Sequence, residues 1–270
     1  VSPVHRRSYA PVRRMLEKQK SHFNDEYAYL SSQGKPVDLR TVSWPQKLRL
    51  LVTAPHPDDF DAIGVTLQYL QTQGHELYAI VAQTGSGIDT IYGAGMTKQD
   101  RTLLRNREQR ASFAFFGLPQ SHYQILALDN AADDQVDYTE NNICRLKEIV
   151  RKIQPNILFM PHGNDSNRAH RDMYRMMRHI AKCMEWPIAL MLNSDVKTVD
   201  MRKDWFVPFS QEKAQWKRQL LRFHDSQHQR NLRVRGYGFD DRVLTLNRQT
   251  AKELGITLPY AASFEVEICD

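Results

Sequence analysis

From residue 48 onward, the sequence alternates short apolar segments with longer amphipathic ones, and this pattern constrains the fold more than any other feature. A short apolar run before an amphipathic stretch of about 10–15 residues is typical of a strand followed by a crossover helix. Repetition of this unit builds a parallel sheet that helices cover on both faces. We therefore predict an α/β protein with a doubly wound, mostly parallel sheet in three α/β/α layers.

The spacing of the apolar residues places each element along the chain. Strands are predicted at residues 48–54, 76–83, 123–128, 157–160, 188–192 and 264–268. Helices are predicted at residues 59–73, 100–116, 139–153, 170–184 and 211–231. A connection that contains tryptophan and proline is predicted at residues 203–208, before the last of these helices.

The first part of the chain does not follow this alternation. Residues 1–46 show helical spacing around Val12, Leu16 and Phe23 and then a polar turn, so we predict an N-terminal helical appendage. Residues 47–270 are predicted to form a single domain. The basic residues near the start fit either an arm that packs on the body or a tail that binds a partner.

The composition is that of a soluble, globular protein. No apolar run among the 270 residues approaches the roughly 18 residues that a membrane span requires. Cys144, Cys183 and Cys269 lie far apart, which indicates neither a disulfide framework nor a paired-cysteine metal site and favours a reducing, cytoplasmic location. Because the chain begins at Val1 rather than at methionine, removal of a preceding segment stays an alternative.

The chain carries a formal net charge of +6. This charge is compatible with an anionic substrate, although excess arginine is more often solvated surface. No nucleic-acid-binding motif accompanies the charge, so we predict no nucleic-acid partner.

Four glycines fall in the segment from Thr84 to Thr97, after the second predicted strand. Their spacing does not match a P-loop or a dinucleotide fingerprint, and no helix start follows them directly. We therefore predict a mobile rim or lid over a pocket rather than a phosphate-binding loop.

Two polar segments follow predicted strands and lie at the same edge of the predicted sheet. Residues 56–59 (His-Pro-Asp-Asp) follow the first strand, and residues 167–170 (Asn-Arg-Ala-His) follow the fourth. In open parallel sheets the ligand crevice lies beyond the carboxyl ends of the strands. We therefore expect these two segments to lie close together in space.

The spacing within these segments suits a metal site. Residues three apart project to a common side of a helical turn, so His56 and Asp59 can bind one ion while Asp58 points elsewhere. His170 supplies a third ligand, and two imidazoles with one carboxylate form a typical catalytic zinc set with an open position. Other divalent metals accept the same ligands. The alternative is that each residue is only a cap or a turn former.

Several segments resemble the motifs of one family. Residues 56–59 resemble the His-Pro-Asp-Asp signature of the PIG-L/LmbE-like zinc-dependent N-deacetylases. Residues 105–108 (Arg-Asn-Arg-Glu) are similar to the family's Arg-x-x-Glu helix, and Lys213 with residues 224–227 (His-Asp-Ser-Gln) is similar to its later Lys and His-x-Ser-Gln element. The similarity runs from about residue 48 to residue 227.

This resemblance implies a Rossmann-like fold that binds Zn²⁺ and a metal-dependent hydrolase. The implied reaction removes an N-acetyl group from an N-acetylglucosamine-type amino sugar or glycoconjugate. A small-molecule amino-sugar substrate and a homo-oligomer are also implied. By position, the zinc ligands would be His56, Asp59 and His170, Asp58 would be the general base, and Arg105 would lie at the substrate mouth.

The sequence departs from the family pattern at two positions. Asn167 stands where the family often has a histidine that helps to polarise the carbonyl, and it keeps a hydrogen-bond donor that can face an oxyanion. Phe60 replaces an acidic residue, for which Asp61 is a possible substitute. The acid that protonates the leaving amine is therefore open, with Asp58, His162 and His224 as candidates.

Other functions are compatible with the same residues. The site chemistry alone also fits hydrolysis of another amide or an ester. A non-catalytic sugar-binding relative is a further alternative, in which Asn167 and Phe60 mark a decayed site. Arg105 could pair with Glu108 on the helix surface instead of binding substrate.

Overall fold

Eight strands form one mixed sheet in the part of the chain that the structure describes, a computed structural model covering residues 36–44, 46–82, 87–128, 130 and 135–269. The strands are β1 (Val37–Asp38), β2 (Arg49–Ala54), β3 (Glu76–Val81), β4 (Tyr123–Ile125), β5 (Ile157–Pro161), β6 (Ile188–Asn193), β7 (Trp205–Phe209) and β8 (Tyr260–Cys269). Their lateral order is β1-β7-β8-β6-β5-β2-β3-β4. Every neighbouring pair is parallel except the two that β8 makes with β6 and β7.

The helices that connect these strands complete the α/β architecture. They are α1 (Asp59–Ala62), α2 (Gly64–Thr72), α3 (Lys98–Phe116), α4 (Glu140–Ile153), α5 (Arg168–Lys182), α6 (Gln211–Arg222), α7 (Asp225–Arg235) and α8 (Phe239–Glu253). The predicted α/β class and the mostly parallel sheet are confirmed. None of the helices among the described residues is long and apolar enough to cross a membrane.

Side chains along the central strands alternate between two buried clusters, one on each face of the sheet. On β2, Leu50 and Val52 join the first cluster and Leu51 joins the second. Helices α2, α3, α6 and α8 cover the first face, and α4 and α5 cover the second. Burial of each large aliphatic side chain contributes about 1.5–3 kcal/mol to the free energy of folding, so the two clusters hold the helices on the sheet.

The site is positioned by the point at which the strand order reverses. From β2 the chain moves outward through β3 and β4, and it then returns to place β5 on the other side of β2. The connections that leave β2 and β5 therefore diverge to opposite faces and open a crevice at the carboxyl ends of these strands. Both polar segments identified in the sequence leave the sheet at this crevice.

In the second half of the chain, the structure differs from the prediction in three ways. Strand β7 lies where the connection at 203–208 was predicted. Its Pro208 lies beyond the two residues that pair with β1, so Pro208 has a neighbouring strand on one side only. The predicted helix 211–231 is divided between α6 and α7, because His224 leaves the helical path to reach the buried Asp61. Helix α8 was not predicted.

The start of the described chain adds to the edge of the sheet. Strand β1 pairs in parallel with β7, and Leu39, which follows it, is fully buried in the first cluster. Both lie before residue 47, where the sequence places the start of the domain. That domain boundary stays a prediction, and the predicted helix around Val12, Leu16 and Phe23 lies outside the described residues.

A lysine is buried within the helical layer on the first face. The Lys217 side chain on α6 is fully buried, and its Nζ donates to Asn247 Oδ1 on α8 at 2.7 Å. The same Nζ lies 5.6 Å from the centre of the Phe209 ring. Burial lowers the pKa of Lys217 to about 7, although the nearby Asp61 opposes this shift.

This lysine predicts a pH dependence of stability. Between pH 7 and about 10.5, the usual pKa of lysine, the unfolded chain binds one more proton at this position than the folded chain does, so the free energy of unfolding should rise with pH. We expect this from urea unfolding at pH 7, 8 and 9. The free energy of unfolding of Lys217→Met should rise by about 1 kcal/mol less per pH unit than that of the wild-type protein. The exposed control Lys252→Met should keep the wild-type slope, and identical slopes in all three proteins would contradict the prediction.

Candidate metal and catalytic site

One pocket of about 320 Å³ lies at the carboxyl ends of the central strands. The six site residues predicted from the sequence all line it, namely His56, Asp58, Asp59, Arg105, Asn167 and His170. They come from the β2–α1 turn, helix α3 and the start of α5. The expectation that the two polar segments lie close together is therefore met in the structure.

The Asp59 carboxylate lies between two histidine rings. Its Oδ2 is 3.2 Å from His56 Nδ1, and its Oδ1 is 3.5 Å from His170 Nε2. One ligand atom from each of the three side chains lies within 4.8 Å of the other two. These atoms form a candidate metal site of two imidazoles and one carboxylate, which is a ligand set that catalytic zinc sites use.

The charges around this trio suit a cation. Although burial opposes ionisation, His170 and His56 hold the pKa of Asp59 well below its ordinary value. Burial also disfavours the charged form of His170, but Asp59 and Asp165 outweigh it and raise the pKa of His170 to about 10. The surroundings are thus negative enough to retain a proton on His170, and a divalent cation that displaces this proton would balance the same charge.

Two further side chains hold the histidines in orientation. Asp165, which is buried, places its Oδ2 3.0 Å from His170 Nδ1, so the Nε2 atom faces Asp59. Gln135 Oε1 lies 3.0 Å from His56 Nε2. Carboxylate and amide partners of this kind orient the histidine ligands of metal sites. The sequence analysis missed both, and the only signal for Asp165 was an acidic residue five positions before His170.

Helix α5 carries His170 to the pocket for reasons visible in its sequence. Asn167 caps the helix, because its Oδ1 accepts a hydrogen bond from the Ala169 N–H at 3.0 Å. Met173 and Met177 follow His170 at helical spacing and are fully buried against the sheet. His170 therefore lies on the same buried stripe, one turn earlier, where the stripe passes the end of β5.

The turn before α1 has a rare backbone conformation. Asp58 has φ 105°, in the region that non-glycine residues seldom adopt. The helix begins at Asp59, so Pro57 lies in the turn that precedes it. Strain of this kind costs about 1–3 kcal/mol and persists only where neighbouring contacts fix it.

Helix α3 supplies those contacts. The Arg105 Nη2 donates to the Pro57 carbonyl oxygen, and the Asp58 N–H donates to Gln109 Oε1 at 3.1 Å. Arg105 Nη2 also lies 3.5 Å from Asp58 Oδ2 and is itself buried. Burial raises the pKa of Asp58, and the Arg105 guanidinium opposes this rise. Arg105 thus positions Asp58, and its predicted contact with substrate stays a prediction.

A buried polar network beneath the turn contains three further motif residues, Glu108, His224 and Ser226. Asp61 accepts hydrogen bonds from Ser112 Oγ and lies 2.5 Å from His224 Nε2, and both the aspartate and the histidine are fully buried. Glu108 Oε1 accepts from the Ser226 N–H at 2.7 Å, and Glu108 Oε2 accepts from the Ser226 hydroxyl at 2.6 Å. These bonds join α1, α3 and α7, so the residues similar to the later family motifs hold the turn in place.

The two histidines considered as proton donors do not line the pocket. His224 is enclosed with Asp61, and His162 Nε2 lies 3.2 Å from Glu265 Oε2. Phe60 is fully buried and packs edge-to-face on Phe113. The position that the family fills with an acid is therefore part of the core here.

Part of the predicted glycine-rich rim is described. Gly87 lines the pocket and its carbonyl accepts from Gln227 Nε2 at 3.2 Å, while Tyr92 donates its hydroxyl to Asp225 at 2.8 Å. Residues 83–86 lie outside the described residues, and the predicted mobility stays a prediction.

Comparison with known proteins finds a family match. The family model described as PIG-L, GlcNAc-PI de-N-acetylase, matches residues 51–181, which contain both polar segments and the Arg105 helix. This segment of the chain therefore matches the PIG-L/LmbE-like deacetylase family. A search of curated proteins found no match.

Solved structures with the same fold differ widely in sequence. N,N'-diacetylchitobiose deacetylase from Pyrococcus horikoshii is 17% identical with a TM-score of 0.67, and the match covers 81% of this chain and 83% of that one. The zinc-inhibited form of teicoplanin deacetylase Orf2 is 16% identical with a TM-score of 0.61, and the match covers 82% of this chain and 99% of that one. GalB, the 4-carboxy-2-hydroxymuconate hydratase from Pseudomonas putida KT2440, is 18% identical with a TM-score of 0.61, and the match covers 82% of this chain and 96% of that one. These likenesses establish the fold.

The geometry predicts how the protein binds metal. Metal-stripped protein should bind one Zn²⁺ per chain, with an affinity that rises with pH because the ion displaces the proton that Asp59 and Asp165 hold on His170. Asp165→Asn should weaken binding by about 10–100-fold, since His170 loses its orienting partner. Competition with a chromophoric chelator measures both effects.

The control for this experiment is Asp200→Asn, an equal change of charge at an exposed position. It should bind zinc like the wild-type protein. Equal affinity in the Asp165 and Asp200 variants would show that Asp165 does not support the site.

Proposed function

We propose that this chain is a zinc-dependent hydrolase that removes an N-acetyl group from an N-acetylglucosamine-type amino sugar or glycoconjugate. The observation that carries the proposal is the convergence of His56, Asp59 and His170 beside Asp58 in one pocket. The family-model match supports a deacetylase, and two structures of the same fold are named as deacetylases of chitobiose and of teicoplanin.

His56, Asp59 and His170 are the proposed zinc ligands. The set fits the ion because Asp59 is held ionised and both histidines have partners on their second nitrogen, Gln135 and Asp165. Zinc held by three protein ligands supplies a water acidic enough to be deprotonated near neutral pH and a Lewis acid for the amide carbonyl.

Asp58 is the proposed general base. It lines the pocket next to Asp59, and its Oδ2 lies 3.5 Å from Arg105 Nη2. Burial raises the pKa of Asp58, which makes it a better proton acceptor than a solvated aspartate, and the Arg105 guanidinium opposes this rise. Asp58 accepts a proton from the attacking water and returns it to the departing amine, because neither His162 nor His224 lines the pocket.

Asn167 is proposed to bind the oxyanion that forms on the amide carbonyl. Its Oδ1 is occupied as the cap of α5, and among the described residues its Nδ2 has no hydrogen-bond partner. An amide N–H that is fixed by a helix cap is a preorganised donor, which stabilises developing negative charge without reorganisation. This role replaces the polarising histidine of the family with a donor that does not titrate.

Two large apolar side chains also line the pocket. Phe239 and Val234 line it on the side of α7 and α8. The apolar face of a sugar ring packs well on an aromatic side chain, so we propose that Phe239 supports the glucosamine ring. The predicted homo-oligomer and cytoplasmic location stay predictions.

A second candidate is hydration of a carboxylated, non-sugar substrate. It is favoured by the likeness to GalB, whose name describes such a reaction, and by the arginines that line the pocket. Release of acetate from N-acetylated sugars supports the first candidate. Loss of the absorbance of a conjugated carboxylate, without acetate release, supports the second. A protein that binds N-acetylated sugars but catalyses neither reaction is the non-catalytic alternative.

Removal of the base predicts a specific loss. Zinc-loaded wild-type protein should release acetate from a panel of N-acetylglucosamine derivatives, and Asp58→Asn should lower kcat by about 10²–10⁴-fold because no group then takes the proton from water. Zinc content, measured by elemental analysis, should be unchanged, since Asp58 is not a proposed ligand. Full activity in Asp58→Asn would exclude it as the base.

A pair of variants separates the two roles of Asn167. Asn167→Ser keeps an N-cap oxygen but loses the amide donor, so we expect kcat to fall by about 10²-fold with little change in Tm. Asn167→Ala should lose the cap as well, with about 1 kcal/mol of stability. Steady-state kinetics and thermal unfolding of both variants provide the comparison. A residue that only caps the helix would give Asn167→Ser wild-type kcat.

A further inference from the structure

One wall of the pocket is rich in arginine. Arg230 and Arg235 on α7 and Arg242 on α8 line the same pocket as the candidate metal site. We call these three residues the arginine wall. The turn at Gly236, with φ 77°, brings the end of α7 against the start of α8 and so places all three side chains on one side of the pocket.

The arginine wall lacks acidic partners within the described residues. Neither Arg230, Arg235 nor Arg242 forms an ion pair there, although neighbouring basic residues do. Arg233, also on α7, pairs with Asp89, and both Arg218 and Arg222 pair with Asp240 at the start of α8. Asp89 and Asp240 are therefore engaged with arginines that do not line the pocket.

Arg242 shows the cost of this arrangement. Its side chain is half-buried beside the pocket. Burial lowers the pKa of Arg242 and the nearby Arg235 lowers it further, while Asp195 and Asp58 act in the opposite direction. A partly desolvated guanidinium without a bonded partner is unfavourable, and a bound anion would remove that penalty.

The other charges of the pocket do not neutralise the wall. Its acidic residues are Asp58, Asp59 and Asp195, and its remaining cations are Arg105 and Lys197. Asp58 already lies beside Arg105, and Asp59 lies between the two histidines. A divalent cation at the candidate metal site would make the pocket still more positive, so a neutral ligand would leave the excess charge uncompensated.

We propose that the arginine wall is an anion subsite, which binds a phosphate or carboxylate substituent on the substrate while the acetamido group lies at the candidate metal site. The planar guanidinium binds both anions through paired hydrogen bonds, which explains arginine rather than lysine at three positions. The identity of the sugar rests on the proposed function. The anion subsite itself rests only on the side chains of α7 and α8.

Binding can be measured without turnover. Zinc-loaded Asp58→Asn protein is titrated by calorimetry with N-acetylglucosamine, N-acetylglucosamine 1-phosphate and N-acetylmuramic acid, which are neutral, phosphorylated and carboxylated. At least one anionic ligand should bind about tenfold or more tightly than the neutral sugar, and the advantage should shrink with added salt. The stronger of the two anionic ligands identifies the substituent. Equal binding of all three would overturn the proposal.

Variants of the wall test the assignment to these residues. Arg235→Gln and Arg242→Gln should each remove about tenfold from the affinity for the anionic ligand and leave that for N-acetylglucosamine unchanged. Arg151→Gln, an equal change of charge at an exposed position on α4, should keep the wild-type preference. Circular dichroism checks whether each variant folds. If Arg242→Gln does not fold, the test relies on Arg235→Gln, at an exposed position, and on the double variant Arg230→Gln/Arg235→Gln. A preserved anionic preference in the folded variants would overturn the proposal.

The same variants, made in the active protein, separate this proposal from the proposed function. If acetate is released from neutral and anionic sugars with equal kcat/KM, the deacetylase stands and the anion subsite is refuted. If no acetate is released but the anionic ligands bind through Arg235 and Arg242, the subsite stands and the deacetylase fails.

Discussion

The candidate site depends on the Asp59 carboxylate, because it is the group on which two distant parts of the chain converge. His56 approaches it from the end of β2 and His170 from the first turn of α5. An ionised carboxylate in a largely buried position needs positive neighbours, and the two imidazoles provide them until a metal does. Asp165 and Gln135 then fix the outer nitrogens of the rings, so the positions of five side chains follow from the requirement to balance one charge.

The same principle explains the polar residues beneath the site. Asp61 is buried where it cannot be solvated, and Ser112, Gln109 and His224 surround it. Glu108 likewise binds the backbone and hydroxyl of Ser226. Buried groups of this kind are costly when a partner is missing, so the network fixes α3 and α7 relative to the strained turn at Asp58. Residues that never touch the pocket thereby determine where the proposed base points.

The fold alone does not determine the reaction. Structures that share it are named as deacetylases and as a hydratase, with identities to this chain below 20%. What distinguishes this chain is the content of its pocket. Asn167 is a neutral donor at a position that the family often fills with histidine, and the arginine wall is contributed by α7 and α8, outside the segment that the family model matches. The proposed anion subsite is therefore separated along the chain from the candidate metal site.

The sequence by itself determined the α/β class, the family resemblance and the segments from which the candidate site is built. These follow from local information, since apolar spacing reports which face of an element is buried, and residues 56–59 carry a dense motif. Only the tertiary structure decided that Asp165 and Gln135 support the histidines. It also decided that Arg105 holds the turn and that His224 is enclosed with Asp61. The separation of α7 from α6 was likewise visible only there. The tertiary structure also revealed strand β7, helix α8 and the arginine wall. These features depend on which side chains meet across the fold. Packing between elements far apart in sequence sets those contacts, and the spacing of residues within one segment does not encode them.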